Sequence, residues 1–353
     1  MARGKAGAER ARRLEAPVDL EAFNEFCEQR HWSDGLPLVP PTAERVERML
    51  QRCGRVPDEV VANVAPGFAE ATVERIAINA VMAGCRPQYL PVLLAAVEAS
   101  AERRFNLQGI QATTNPATPW IIVNGPIARE IGMNAGINCI GQGTAANATL
   151  GRALRLVLQN IGGALPGEMD RATHGQPAKF TFCCAENEPE NPWTPLHVER
   201  GMAPGSSAVT LVGAAGTLNL NSHAKDAPDL LRIIADSMTF PASNDYHFCG
   251  EPWIILSPEH AEVLKLGGLT KHDVKRELWE LSKMAASRFA AKDLVRARHT
   301  RGPELGNITS DTLLPVSLTA EDIGIVVAGG PGTHSVYVPT FGQTRAVTRA
   351  IKT

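Results

Sequence analysis

Two carboxylates, Glu186 and Glu188, follow the strand-like run KFTFCCA (179–185), and a histidine, His197, comes shortly after them. Adjacent thiols, Cys183 and Cys184, stand just ahead. Carboxylates and an imidazole gathered past a strand end are the groups that general acid–base catalysis uses, because burial and neighbouring charges bring their protonation close to neutral pH. A thiol paired with an imidazole would add a nucleophile. The expected catalytic residues are therefore Glu186, Glu188, His197, His334 and Cys183, with Cys139 and Cys184 as alternative thiols. His334 is included because it follows a buried run in the glycine-rich turn GGPGTH, where a histidine has no packing reason to stand. Bland readings stay open beside these. The carboxylates could be solvated members of ENEPENP, and each cysteine could be a small buried hydrophobe.

A second set is suited to holding an anion. In MNAGINCIGQGTAAN (133–147) a polar, glycine-rich loop runs into a helix whose N-cap would be Thr144. Unpaired N–H groups and the positive end of the helix dipole favour a carboxylate or phosphate there. Asn138, Cys139, Gly141, Gly143, Thr144 and Asn147 are the expected loop contacts, and Asn124 lies at a nearby strand end. Arg152 and Lys179 supply cations for a substrate carboxylate. A plain tight turn and a solvated Arg152 are the alternatives. GQGTAAN has neither the dinucleotide fingerprint nor the Walker spacing. The chain also lacks G-x-S-x-G, H-E-x-x-H, H-x-x-x-H and C-x-x-C. No nucleotide, flavin or zinc-ribbon cofactor is indicated and no metal ligands are assigned; a metal would need residues such as His223, His247 and Asp226 to meet through folding. His31 and Asp34, in the Pro-rich segment 31–42, could line a cleft.

The elements that must position these groups alternate. Leu150, Ala153, Leu154, Val157, Leu158 and Ile161 repeat at helical spacing, and Gly162–Gly163 ends that helix. Helices are also expected over 18–27, 43–53, 72–84, 87–99, 226–238 and 270–286. Strands are expected at 109–116, 119–124, 179–185, 208–213, 252–256 and 323–328, and 299–311 has loop composition. PWIIVNGP (119–126) is echoed by PWIILSP (252–258) and by GIVVAGGP (324–331). The expected fold is α/β: mixed, largely parallel sheets with helices on their faces, in two pseudo-repeated halves. A basic, disordered arm (1–17) would precede a first half (18–200, with an N-terminal helical and extended segment) and a second half (201–353).

Composition narrows the class. The chain has 353 residues, 44% hydrophobic and 20% charged, with a net charge of −2, which leaves no electrostatic footprint for nucleic acid. No run reaches the roughly 18 apolar residues of a membrane span. The N-terminus lacks the apolar centre of a secretory signal. The seven cysteines are odd in number and scattered, which points to free thiols in a reducing cytoplasm.

Several runs carry a family resemblance: DGLPLVPPT (34–42), VERIAINAVMAGCRPQYLPVLLAAVEA (73–99), TPWIIVNGPIAREIG (118–132), ANATLGRALRLVLQNIGGALPG (146–167), PWTPLHVERG (192–201) and VVAGGPGTHSVYVPTFG (326–342). Over most of 18–345 the chain resembles a bacterial family associated with UGSC-motif (seleno)proteins, which occur fused to, or beside, a domain bearing [U/C]-G-S-C. The resemblance implies redox or nucleophilic chalcogen chemistry on a small electrophile. This chain contains no CGSC, so a partner chain would supply it or this member acts without it. Two functions are thus expected in competition. One is a soluble, homo-oligomeric enzyme, or its large subunit, acting on a small anionic molecule by acid–base or thiol-assisted reduction, elimination or hydrolysis. The other is a non-catalytic scaffold that docks a separate [U/C]GSC protein.

Overall fold

The computed structural model describes residues 11–352; residues 1–10 of the expected basic arm lie outside the described residues. Helices begin where the sequence provides caps. Asp19, Thr42, Thr72, Asp226 and Ser257 each accept a first-turn amide of the helix that follows: Leu20–Glu28, Ala43–Leu50, Val73–Met82, Ala227–Met238 and Pro258–Leu266. Thr270 and Asp273 form a reciprocal box at the start of Lys271–Leu281. The long amphipathic pattern folds as the helix Ala145–Asn160.

The strands, in chain order, are β1 (Val60–Val64), β2 (Ala69–Thr72), β3 (Thr118–Asn124), β4 (Cys183–Ala185), β5 (Ala208–Ala214), β6 (Leu218–Asn221), β7 (Trp253–Leu256), β8 (Met284–Ala285), β9 (Leu313–Leu314), β10 (Gly324–Val327), β11 (His334–Val338) and β12 (Val347–Ala350). Two four-stranded sheets dominate, ordered β12-β5-β3-β4 and β10-β7-β11-β6, beside the hairpin β1-β2 and the short pair β8-β9.

The fold is mixed α/β, but the sheets are not largely parallel. Among the described residues only β3–β4 and β7–β10 pair in parallel; the other pairings are antiparallel. The reason lies in the connections. A parallel neighbour needs a crossover long enough to return the chain to the starting end of the sheet, as the helix-rich stretches after β3 and β7 do. The segments after β4 and β10 hold no such helix, so β5 and β11 enter from the opposite end.

Side-chain alternation along the strands divides the core into layers. Ile121, Val123, Cys183, Ala185, Val209 and Leu211 face helices on the outside of the first sheet. Ile254, Leu256, Ile325, Val327 and Tyr337 face helices on the outside of the second. The inward residues, among them Trp120, Ile122, Cys184, Val212, Trp253, Ile255 and Val326, pack the two sheets together. The order is helix, sheet, sheet, helix. At the centre Trp120 meets Trp253 edge-on at 5.9 Å and Phe182 face-on at 5.1 Å.

A division near residue 200 does not separate the sheets. β5 and β12 belong with β3 and β4, while β6, directly after β5, joins β11. The chain crosses where Ala214 bridges Thr340, flanked by Ala215 N–H to Pro339 O and Phe341 N–H to Gly213 O, each 2.8 Å.

Three local expectations are corrected. Residues 107–112 are helical rather than extended: Asn106 caps the helix through Gly109 N (3.2 Å), and Leu107, Ile110 and Gln111 are its buried residues. Of 179–185 only Cys183–Ala185 is strand, after a tight turn at Pro177–Lys179. The stretch expected as loop from 299 continues a helix, Ala291–Leu305, with Pro303 in its last turn. Tertiary contact outweighs composition there, since the buried Arg301 side chain donates to Tyr246 O (2.8 Å) and Pro315 O (3.2 Å).

Candidate active site at the ends of β3 and β4

β3 and β4 run parallel and finish together at Asn124 and Ala185, and Glu186 N–H extends the ladder to Val123 O at 3.1 Å. That register delivers Asn124, Glu186 and Glu188 to one place. Asn124 Nδ2 donates to Glu186 Oε2 (2.5 Å) and to Glu188 Oε1 (2.9 Å). Gly125 N–H donates to Glu188 Oε1 at 2.7 Å. Gly125 holds φ +85, and a Cβ there would strike the Ser206 backbone, so only glycine brings this amide to the carboxylate.

Glu186 is almost fully buried. It accepts Leu196 N–H (2.7 Å) and Asn191 Nδ2 (2.8 Å) besides Asn124, and so ties the 191–196 segment to the strand ends. Burial raises its pKa above the usual carboxylate range, opposed mainly by the nearby Lys271 ammonium. His197, on the short helix Leu196–Glu199, is 2% exposed. Its Nδ1 lies 3.7 Å from Glu188 Oε1, and neither ring nitrogen has a hydrogen-bond partner. Burial lowers the imidazole pKa, and Glu188 acts in the opposite direction. Asn124 Oδ1 is also buried without a partner. Burial thus drives the Glu186 carboxyl and the His197 imidazole in opposite directions, each toward its neutral form. Solvent reaches the group at Glu188, whose side chain is 29% exposed.

The remaining expected residues lie elsewhere. His334 begins β11, exposed, with Nδ1 3.2 Å from Asn219 Oδ1. Its neighbourhood includes a buried histidine, His260, held by Ser335 Oγ (2.7 Å) and Ser222 O (3.0 Å). Cys183 faces the outer helices, and burial pushes its thiol pKa up, away from nucleophile chemistry. Arg152 is bound by both oxygens of Asp34 (2.8 Å each) and by Leu36 O (2.9 Å), which fastens the Pro-rich segment to the long helix. Lys179 pairs with Asp170. Asn147 is spent on backbone: it accepts Asn134 N–H (2.9 Å) and donates to Asn134 O and Cys139 O (2.8 Å each).

The loop itself is largely self-bonded. Gly141 N–H donates to Asn138 O (2.9 Å), and Asn138, at φ +61, donates from Nδ2 to Gln142 O (2.8 Å). Thr144 precedes the helix without a side-chain cap bond, and Gly143 is exposed at φ +117. Cys139 is buried and belongs to the core between the sheets, together with Cys184. His31 and Asp34 do line a cleft, of about 870 Å³, with Arg155, Asp170 and Lys179. His223, His247 and Asp226 do not meet as a metal site. Among the described residues no three His, Cys, Asp or Glu side chains are grouped to hold a metal ion.

One feature escaped the sequence patterns. On the far side of the segment that Glu186 anchors, a cleft of about 1130 Å³ is lined by Arg104, Arg200, Lys265, Lys271, His272 and Lys275, with Glu199 and Glu321 the acidic groups. Lys271 and Lys275 are buried yet share one carboxylate, Glu199, at 2.9 and 2.5 Å. Arg200 rests on neutral acceptors, Thr348 Oγ1 (2.8 Å) and Ala346 O (2.7 Å). Cations therefore outnumber anions at this wall, an arrangement that a bound anion would balance. The only sequence signal is the i, i+4 spacing of Lys271 and Lys275, which puts both on one helix face.

Among the described residues no helix is long and apolar enough to cross a membrane. No known protein-family model matches the sequence, and no curated protein matches it.

Proposed function

We propose that the chain is an enzyme, or the large subunit of one, that moves protons on a small anionic substrate. The observation that carries this reading is the convergence of Asn124, Glu186, Glu188 and His197 at the ends of two parallel strands, with His197 buried and unbonded beside Glu188. Unpaired buried polar atoms cost stability, and they persist where chemistry uses them. In this reading Glu188 exchanges protons with the substrate and His197 backs it. Glu186 and Asn124 position Glu188; the cationic cleft, lined by none of these four residues, meets them only through the Lys271 charge beside Glu186. Seven free cysteines suit a reducing cytoplasm, which we propose as its compartment.

The resemblance to the UGSC-associated family belongs to the same proposal, with a [U/C]GSC chain as partner. We also read the two large sheets as copies of one unit. Each has a central strand with one parallel neighbour and one antiparallel neighbour, the central strands are the two that echo in sequence, and a last antiparallel strand completes each. A second reading, a non-catalytic scaffold that docks the [U/C]GSC protein, is favoured by Ile137 (74% exposed) and Ile140 (40% exposed), which flank Cys139 on the loop surface.

Hydrogen exchange tests the first reading. The purified chain is incubated in D₂O with a panel of hydroxy-, keto- and phospho-carboxylates, and carbon-bound deuterium is followed by NMR. Wild type should incorporate deuterium into at least one member. Glu188→Gln and His197→Asn, with unchanged circular dichroism, should lose about 10²–10⁴ of that rate. Wild type inert toward every member, alone and with a [U/C]GSC chain that it binds, would leave the scaffold reading standing instead.

A further inference from the structure

The cationic cleft on the far side of the 191–200 segment is built around one end of a helix. Lys271 is the first residue of the helix Lys271–Leu281, Lys275 follows one turn later, and both line the cleft together with Thr270 and His272. A helix N-terminus is an unfavourable place for lysines. Its unpaired amides carry partial positive charge, so cations there lose stability where carboxylates would gain it.

Burial sharpens the conflict. Lys271 is 7% exposed and Lys275 9% exposed. Both ammonium groups lean on one carboxylate, Glu199, at 2.9 and 2.5 Å, and the further acceptor of Lys271 is a neutral one, Thr194 O (2.8 Å). Two buried cations on one carboxylate leave a charge uncompensated, which costs stability until another anion joins them.

The rest of the lining adds to the excess. Arg200 is held by the neutral Thr348 Oγ1 and Ala346 O. Glu251, whose charge also reaches Arg200, is already paired with Arg345 at 3.8 Å and does not line the cleft. Arg104 and Lys265 are exposed at the same cleft, and among the described residues no ion pair holds either. Glu321 faces His272 at 3.7 Å. Five permanent cations thus meet two carboxylates, an excess of three. One phosphoryl group brings at most about two negative charges at neutral pH, too few to match it.

We infer that this cleft binds a diphosphate group, with Lys271 and Lys275 gripping it at the helix N-terminus and Arg104, Arg200 and Lys265 taking its remaining oxygens. The amides and dipole of the helix end add to the same attraction. The inference stands apart from the proton-transfer reading and survives its failure, because none of Asn124, Glu186, Glu188 and His197 lines the cleft and binding is measured without turnover.

Pyrophosphate is the probe. Isothermal titration calorimetry of the full-length chain, with EDTA present, compares it with inorganic phosphate and sulfate. Wild type should take up one pyrophosphate per chain, at least about tenfold more tightly than either single anion. Arg104→Gln and Lys275→Met should each weaken pyrophosphate by about ten- to a hundredfold, with circular dichroism unchanged. Arg104 is exposed, so that variant keeps the test in force if Lys275→Met does not fold. Arg48→Gln removes an exposed cation from the helix Ala43–Leu50, outside the cleft, and should leave the affinity unchanged. Pyrophosphate that binds no more tightly than phosphate, or equally to wild type and Arg104→Gln, overturns the inference. An equal loss in Arg48→Gln overturns it as well, since the attraction would then be diffuse.

Discussion

His197 Nδ1 stands 3.7 Å from Glu188 Oε1, and packing rather than hydrogen bonding holds the ring there. The buried imidazole favours its neutral form, so its folded pKa lies below the unfolded one. A depressed pKa contributes stability that is present above the unfolded value, about 6.5, and is lost as pH falls through the folded value. Between roughly pH 7 and 5, wild type should therefore lose more stability to urea than His197→Asn. Parallel profiles for the two proteins would show that His197 does not titrate in this way.

Asp245 gives the opposite sign. It is fully buried, accepts Tyr337 Oη (2.8 Å) and Thr340 Oγ1 (2.6 Å), and among the described residues has no cation bonded to it. Burial pushes its pKa up to about 6. Its contribution is greatest below the unfolded pKa near 4 and fades as pH rises through the folded one, by on the order of 3 kcal/mol in total. Asp245→Asn should flatten the stability profile over that window. Its absolute stability should fall as well, because the amide cannot accept every donor now pointed at the carboxylate.

Trp120 and Trp253 join the sheets through one edge-to-face contact. Either tryptophan changed to alanine should cost about 3–5 kcal/mol in chemical denaturation. A double-mutant cycle with leucine at both sites should return a coupling of about 0.5–1.5 kcal/mol. Strict additivity would mean that the rings contribute only buried area.

Arg152 and Lys275 should separate structure from binding. Arg152→Met leaves Asp34 buried without its cation and should cost about 3–5 kcal/mol. Lys275→Met leaves Lys271 on Glu199, so the fold should hold. Phosphate at millimolar concentration should raise the melting temperature of wild type and of Arg152→Met, and raise that of Lys275→Met much less. Equal shifts in all three would place the anion outside this cleft.

Much of the frame is legible in the sequence because local signals and tertiary demands agree. PWIIVN and PWIIL become β3 and β7, the central strands of the two sheets, and the apolar spacing after Leu150 becomes the helix Ala145–Asn160. The carboxylates after β4 reach Asn124 because a parallel pair ends in register. What is not legible depends on partners distant in sequence. Nothing local marks Arg152 as taken by Asp34, or Lys271 and Lys275 as sharing Glu199. The direction of β5 and β11 depends on what the preceding segment lacks, a helix to carry the chain back. Residues 291–305 look like loop at their end because of Arg301-Gly-Pro303, yet the burial of Arg301 keeps them helical.

The traded strands have a consequence for biosynthesis. β5 leaves the ribosome long before β12, the strand that covers its free edge, because the whole of the second sheet is encoded between them. Until residues 347–350 emerge, the nascent first sheet carries an open apolar border, the kind of surface on which chains misassociate. Loss of residues 347–350 should thus do its damage at a sheet whose other strands were completed by residue 214.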